Sequence, residues 1–158
     1  MKQFLLCCLF LSLLVGAGNA QTTIFIVRHA EKVDATKDTD LSEAGRARAE
    51  ALAKILRDAN ITAIYTTEFK RTQETAAPSA MALGINPTNL AAKDTGALTE
   101  KLRATHGNAL VVGHGNTIPD LIKALGISDP IKIAENDYDN LFVVVLPEKP
   151  QLLRLHYP

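Results

Sequence analysis

Three short apolar runs rich in β-branched residues, at 24–27, 109–112 and 141–146, constrain this chain more than any other feature. None alternates between apolar and polar, so each predicts a strand buried on both faces, as in a parallel sheet. A weaker run of the same kind occupies 61–65, while 152–157 alternates and predicts an edge strand. Between these runs the apolar period becomes helical. With Ser42 as N-cap, Ala44, Ala47, Ala51, Leu52, Ile55 and Ala59 are expected on one helical face. Residues 69–83 are helical in composition, with Pro78 expected to kink or divide the helix. A shorter helix is expected over 98–105. Another is expected over 116–125, with Asn116 as cap, Pro119 in the first turn and Gly126 as the stop. Strands alternating with helices predict an α/β domain, with helices on both sides of a mostly parallel sheet. In such sheets ligands sit beyond the carboxyl ends of the strands.

The 158 residues suffice for one such domain. Seventeen basic residues balance 17 acidic ones, which argues against general binding to nucleic acid or to membrane surfaces. The first twenty residues stand apart. Lys2 is their only charge, an apolar stretch follows over 4–15, and small or polar residues occupy 16–20. This is the layout of a secretory signal, with cleavage expected before Gln21. The apolar stretch falls short of the about 20 residues that a bilayer span needs. The expected organisation is therefore a signal at 1–20 and one domain at 21–158, periplasmic or secreted, without stable membrane association once the signal is removed. Cys7 and Cys8, the only cysteines, would leave with that signal. The mature chain would then lack thiol chemistry and cysteine metal sites. A lipoprotein is the alternative.

The chemistry gathers at the strand ends. The first strand runs into Arg28-His29-Ala30-Glu31-Lys32, and the run at 109–112 into Gly113-His114-Gly115-Asn116-Thr117, where a helix begins. Two histidines thus leave the ends of two strands expected to be neighbours. Glycines beside His114 permit close backbone approach, and the helix start offers free N–H groups. With Arg28 this describes an anion site. A metal site is the competing possibility, yet arginine, lysine and asparagine form a poor metal shell and a good phosphate shell. His106 and His156 have no such surroundings and read as ordinary histidines.

Residues 28–32 resemble the arginine-histidine signature of the histidine phosphatase superfamily, which includes cofactor-dependent phosphoglycerate mutases. Leu41-Ser42-Glu43-Ala44-Gly45, Arg71-Thr72-Gln73-Glu74-Thr75-Ala76 and Val112-Gly113-His114-Gly115 resemble further segments of that family, in order. The resemblance implies a phosphoglycerate mutase-like three-layer α/β/α sandwich. It also implies a phosphohistidine intermediate on His29, with Arg28, Arg71 and His114 binding the non-bridging oxygens and Asn116 beside them. No cofactor or metal is implied. A hydrolase fits better than a mutase, because a chain this short has little room for the insertions that retain an intermediate. A small-molecule phosphate ester or a phosphoprotein is the expected substrate. Alternatives are a protein-phosphohistidine phosphatase and a non-catalytic phosphate-binding module. The proton donor is not legible. Some family members place an aspartate after the second histidine, where this chain has Gly115, and Glu31, Glu68, Asp94 and Glu100 remain as candidates.

Overall fold

The computed structural model describes residues 21–146 and 149–158; the segment 1–20, read as a secretory signal, lies outside them. The elements run β1 (Thr22–Arg28), α1 (Glu43–Ile55), β2 (Ile61–Thr67), α2 (Lys70–Leu83), β3 (Thr88–Leu90), α3 (Thr95–Ala104), β4 (Asn108–Gly113), α4 (Ile118–Ala124), β5 (Asn140–Leu146) and β6 (Gln151–His156). The strands form one six-stranded sheet in the order β3-β2-β4-β1-β5-β6. β3, β2, β4 and β1 are mutually parallel, whereas β5 runs antiparallel to β1 and β6 antiparallel to β5.

The strand period of two divides the core into two layers. Ile24 and Ile26 of β1 and Ala109 and Val111 of β4 pack with α4 through Ile118, Leu121, Ile122 and Leu125. The alternate residues, Val27, Leu110 and Val112, pack with Leu52 and Leu56 from α1 and its end, and with Ala76 and Ala80 of α2. Helices thus cover both faces, the expected three-layer α/β/α sandwich.

Four expectations need correction. The run at 141–146 is buried as predicted, but β5 is antiparallel. A continuous apolar run reports burial, not direction. The chain leaves α4 at the amino edge of the sheet, crosses back to the carboxyl edge over 125–139, and must then run down again. The buried face of α1 carries Gly45, Ala49 and Leu52. Of the face expected from sequence only Leu52 is fully buried, because the many alanines made its period ambiguous. Pro78 does not divide α2, which continues from Lys70 to Leu83 and closes on Gly84 at φ 66°. Asn116 does not cap α4; Thr117 holds that position without a side-chain cap bond. The short edge strand β3 had no apolar run to announce it.

α1 begins as expected, with the Ser42 hydroxyl accepting from the Gly45 amide at 3.1 Å. α2 enters without a side-chain cap and instead turns hydroxyls inward. Thr72 and Thr75 are both completely buried, and both serve the strand ends described next.

Candidate active site

Arg28 at the end of β1 is in register with Gly113 at the end of β4. His29 and His114 therefore leave the sheet together at its carboxyl edge, and the His29 amide donates to the Gly113 carbonyl at 2.9 Å. Both histidines are buried, with ring centroids 5.5 Å apart and edge to face. Arg71 reaches the same place from the first turn of α2. Arg28, His29, Arg71, His114 and Asn116 all line one open pocket of about 360 Å³.

The His29 ring is oriented by backbone. Its Nδ1 lies 2.8 Å from the Ala30 carbonyl oxygen. A carbonyl only accepts, so Nδ1 carries the proton and Nε2 keeps its lone pair. Burial pushes the imidazole down to about 3; the bond to Ala30 opposes this, and charge on Arg71, His114 and Arg28 deepens it. His29 is therefore a neutral base throughout the physiological range.

The loop carrying it is clamped from several sides. The Ala30 amide donates to Thr75 Oγ1 at 2.9 Å, and that hydroxyl donates to the Arg71 carbonyl at 2.7 Å. The Glu31 carbonyl accepts from the Ser42 amide at 2.9 Å. The Glu31 carboxylate holds Arg48 through contacts of 2.7, 2.9 and 3.0 Å, and Arg48 also reaches the Tyr157 carbonyl. Gly45 completes the clamp by what it lacks: a Cβ there would lie 2.2 Å from the Glu31 carbonyl oxygen. Only glycine lets α1 press this closely on the loop.

His114 is held differently. A terminal nitrogen of Arg71 faces its Nδ1 at 3.4 Å, and Nε2 faces Thr67 Oγ1 at 3.1 Å. An arginine only donates, so Nδ1 accepts and Nε2–H donates to the threonine. Thr67 continues to Thr72 at 2.9 Å. Burial brings His114 down to about 4, with the Arg71 charge adding, Glu68 opposing and Arg28 adding slightly.

Arg28 donates to the Ala134 carbonyl at 2.9 Å and to that of Glu135, and its guanidinium lies 4.2 Å from the Tyr138 ring centroid. Arg71 stacks similarly on Phe69 at 4.4 Å. The Nε of each arginine is buried and has no hydrogen-bond partner among the described residues. Two cationic forks with unused buried donors suit an oxyanion, because an unsatisfied buried donor is costly and a bound oxygen relieves it.

The expected proton donors fare worse. Although burial opposes it, the Arg48 hydrogen bonds hold the Glu31 carboxyl below its ordinary range. Glu68 accepts from the Ala92 amide at 2.8 Å, and Asp94 caps α3 by accepting from Ala97 at 2.9 Å. None of these, nor Glu100, lines the pocket. Lys32 forms a β-bridge with Leu41 and does not line the pocket. The wall that sequence reasoning missed is Ile133, Ala134 and Glu135, with Tyr138 behind it. Only the antiparallel sense of β5 reveals it: β5 begins at the carboxyl edge of the parallel strands, so the segment before it borders the pocket. Among the described residues, no three His, Cys, Asp or Glu side chains group closely enough to hold a metal ion.

The chain is similar to known proteins in part of its sequence and in its fold. The model of the histidine phosphatase superfamily (branch 1) matches residues 24–93. Residues 24–93 are thus similar to that superfamily's model, and the rest of the chain lies outside the match. The protein histidine phosphatase SixA complexed with tungstate is 19% identical, at a TM-score of 0.68 over 85% of this chain and 96% of that one. Mycobacterial glucosyl-3-phosphoglycerate phosphatase in complex with VO3 is 15% identical, at 0.68 over 86% and 99%. Phosphoglycerate mutase from Bacillus anthracis is also 15% identical, at 0.68 over 86% and 93%. At these identities the likeness is one of fold. No curated relative matches the chain. The matched segment contributes His29, Arg28 and Arg71, and the fold brings His114 to them from beyond it.

Proposed function

We propose that the protein is a metal-independent phosphatase that hydrolyses phosphate monoesters through a phosphohistidine on His29. The observation that carries this is the His29 tautomer. With Nδ1–H given to the Ala30 carbonyl, Nε2 presents a lone pair that no base has to uncover. Attack by Nε2 on phosphorus would break the bond to the leaving oxygen, and water would then displace His29 from phosphorus. The protein's remaining task in phosphoryl transfer is positioning and charge stabilisation. Arg28 and Arg71 are placed for that, with Asn116 exposed at the rim. His114 holds Arg71 through Nδ1 and would turn to the phosphate oxygens as the anion draws Arg71 away.

The superfamily match and phosphatases of the same fold support hydrolysis over mere binding. Substrate would be a small-molecule phosphate ester or a phosphoprotein. A protein-phosphohistidine phosphatase is the second possibility, supported by the fold shared with the protein histidine phosphatase SixA; a phosphoramidate leaves more easily than an alkoxide. Export to the periplasm or exterior belongs to the same proposal and rests on the segment 1–20. It requires Gln21 as the first residue of the exported fraction; an intact Met1 there refutes it.

The decisive experiment is turnover of an aryl phosphate in EDTA by wild type and His29→Ala. Wild type is expected to be insensitive to chelator, and the variant to lose activity by about 10⁴-fold or more. Activity abolished by EDTA and restored by zinc overturns the mechanism. Phosphate affinity without turnover would make the protein a binding module.

A further inference from the structure

An alkoxide cannot leave phosphorus at a useful rate without a proton, and none of the four carboxylates expected from sequence reaches the pocket. Of the residues that do line it, Glu135 alone carries a carboxyl group. Gly115, beside His114, has no side chain, and a Cβ there would already meet the Arg28 guanidinium at 3.5 to 3.6 Å. The Nε2–H of His114 is directed to Thr67 and, on turning, would be taken by the phosphate oxygens. Of the remaining lining residues, Ile133 and Ala134 are apolar and Asn116 carries an amide, which is no acid.

Glu135 is well placed in a second respect. Arg28 donates to its carbonyl and to that of Ala134. Its Cα is therefore fixed relative to the arginine expected to hold the phosphate. Its side chain is exposed and forms no hydrogen bond or ion pair among the described residues, so it can turn over the pocket mouth. In-line displacement by the buried His29 expels the leaving group toward that mouth. Contacts of this kind commonly tighten only when substrate is bound.

Resting on the phosphatase proposed above, we propose that Glu135 is the proton donor to the leaving group. As Nε2 of His29 bonds to phosphorus, the bond to the leaving oxygen breaks. That oxygen takes the electron pair and the Glu135 carboxyl proton. In the second half the Glu135 carboxylate takes a proton from water as its oxygen bonds to phosphorus. The P–N pair returns to Nε2, and the carboxyl group is regenerated. Atoms, protons and electrons balance without a co-reactant.

The test is Glu135→Gln across a series of phosphate esters, from 2,4-dinitrophenyl phosphate through phenyl phosphate to an alkyl phosphate. Loss should grow as the leaving group becomes more basic, from within a few-fold for dinitrophenyl to about 10²- to 10⁴-fold for alkyl. Glu135→Asp should recover part of the alkyl-ester rate. Equal loss along the series, or no loss on the alkyl ester, overturns the assignment. So does a leaving-group dependence that steepens in Tyr138→Phe instead. Wild type turning over dinitrophenyl phosphate while Glu135→Gln behaves identically throughout refutes Glu135 alone. Wild type failing on dinitrophenyl phosphate refutes the phosphatase as well.

Discussion

Two loops meet at the pocket and are built on opposite principles. Residues 29–31, after β1, are fastened by backbone and buried side chains from β4, α1 and α2. The segment before β5 is irregular, and its Ala134 and Glu135 are tied in by the Arg28 side chain. On the proposed reading, the first loop would fix atoms that every phosphoryl transfer shares, and the second would border whatever is attached to the phosphate. Rigidity has been invested where the chemistry is constant, and exposure left where the substrate varies.

That contrast can be broken in order of expected effect. Arg71→Ala removes a fork from the phosphate and the partner of His114. It should lower kcat/KM by roughly 10²- to 10³-fold; steady-state kinetics on an aryl phosphate showing less than tenfold would move Arg71 out of the site. Gly45→Ala comes next. Its Cβ would overlap the Glu31 carbonyl, so a loss of about 1–3 kcal/mol in denaturant unfolding is expected. Because the displaced loop carries His29, kcat should fall with KM little changed. Unaltered kcat in a folded variant would show that the clamp does not position the nucleophile.

Protonation sharpens the comparison further. The folded His29 and His114 lie near 3 and 4, below the ordinary value of 6.5. The unfolded chain therefore binds more protons below pH 6.5, and stability is full above that pH and lost as pH falls toward 4 and 3. Both rings should keep neutral ¹⁵N shifts from pH 8 down to 5 by NMR, and a charged ring at pH 6 would contradict their burial. The smallest effect is expected from the open loop. Ile133→Ala should leave kcat for an aryl phosphate within about threefold while shifting KM between substrates. A uniform loss of kcat would mean that this wall, too, belongs to the invariant machinery.

How far the sequence foretold all this depended on the kind of signal. Buried strands and the strand-end histidines were legible because apolar runs and the residues ending them are local features. Strand direction was not, since the pattern at 141–146 fits either sense, and with direction went the identity of the wall before it. The role of Gly45 was hidden for a different reason. It lies in what passes by it, a carbonyl fourteen positions earlier in the chain, which no local pattern records. The exposed wall residues have no period at all.

The Ala30 carbonyl has a consequence for the isomer of any covalent intermediate. Because it engages Nδ1 of His29, phosphorus can be carried only on the far ring nitrogen. A trapped intermediate should therefore be tele-phosphohistidine, free of the pros isomer. Phosphorus–nitrogen coupling in a labelled imidazole would read that regiochemistry directly, and with it the direction in which one peptide bond points.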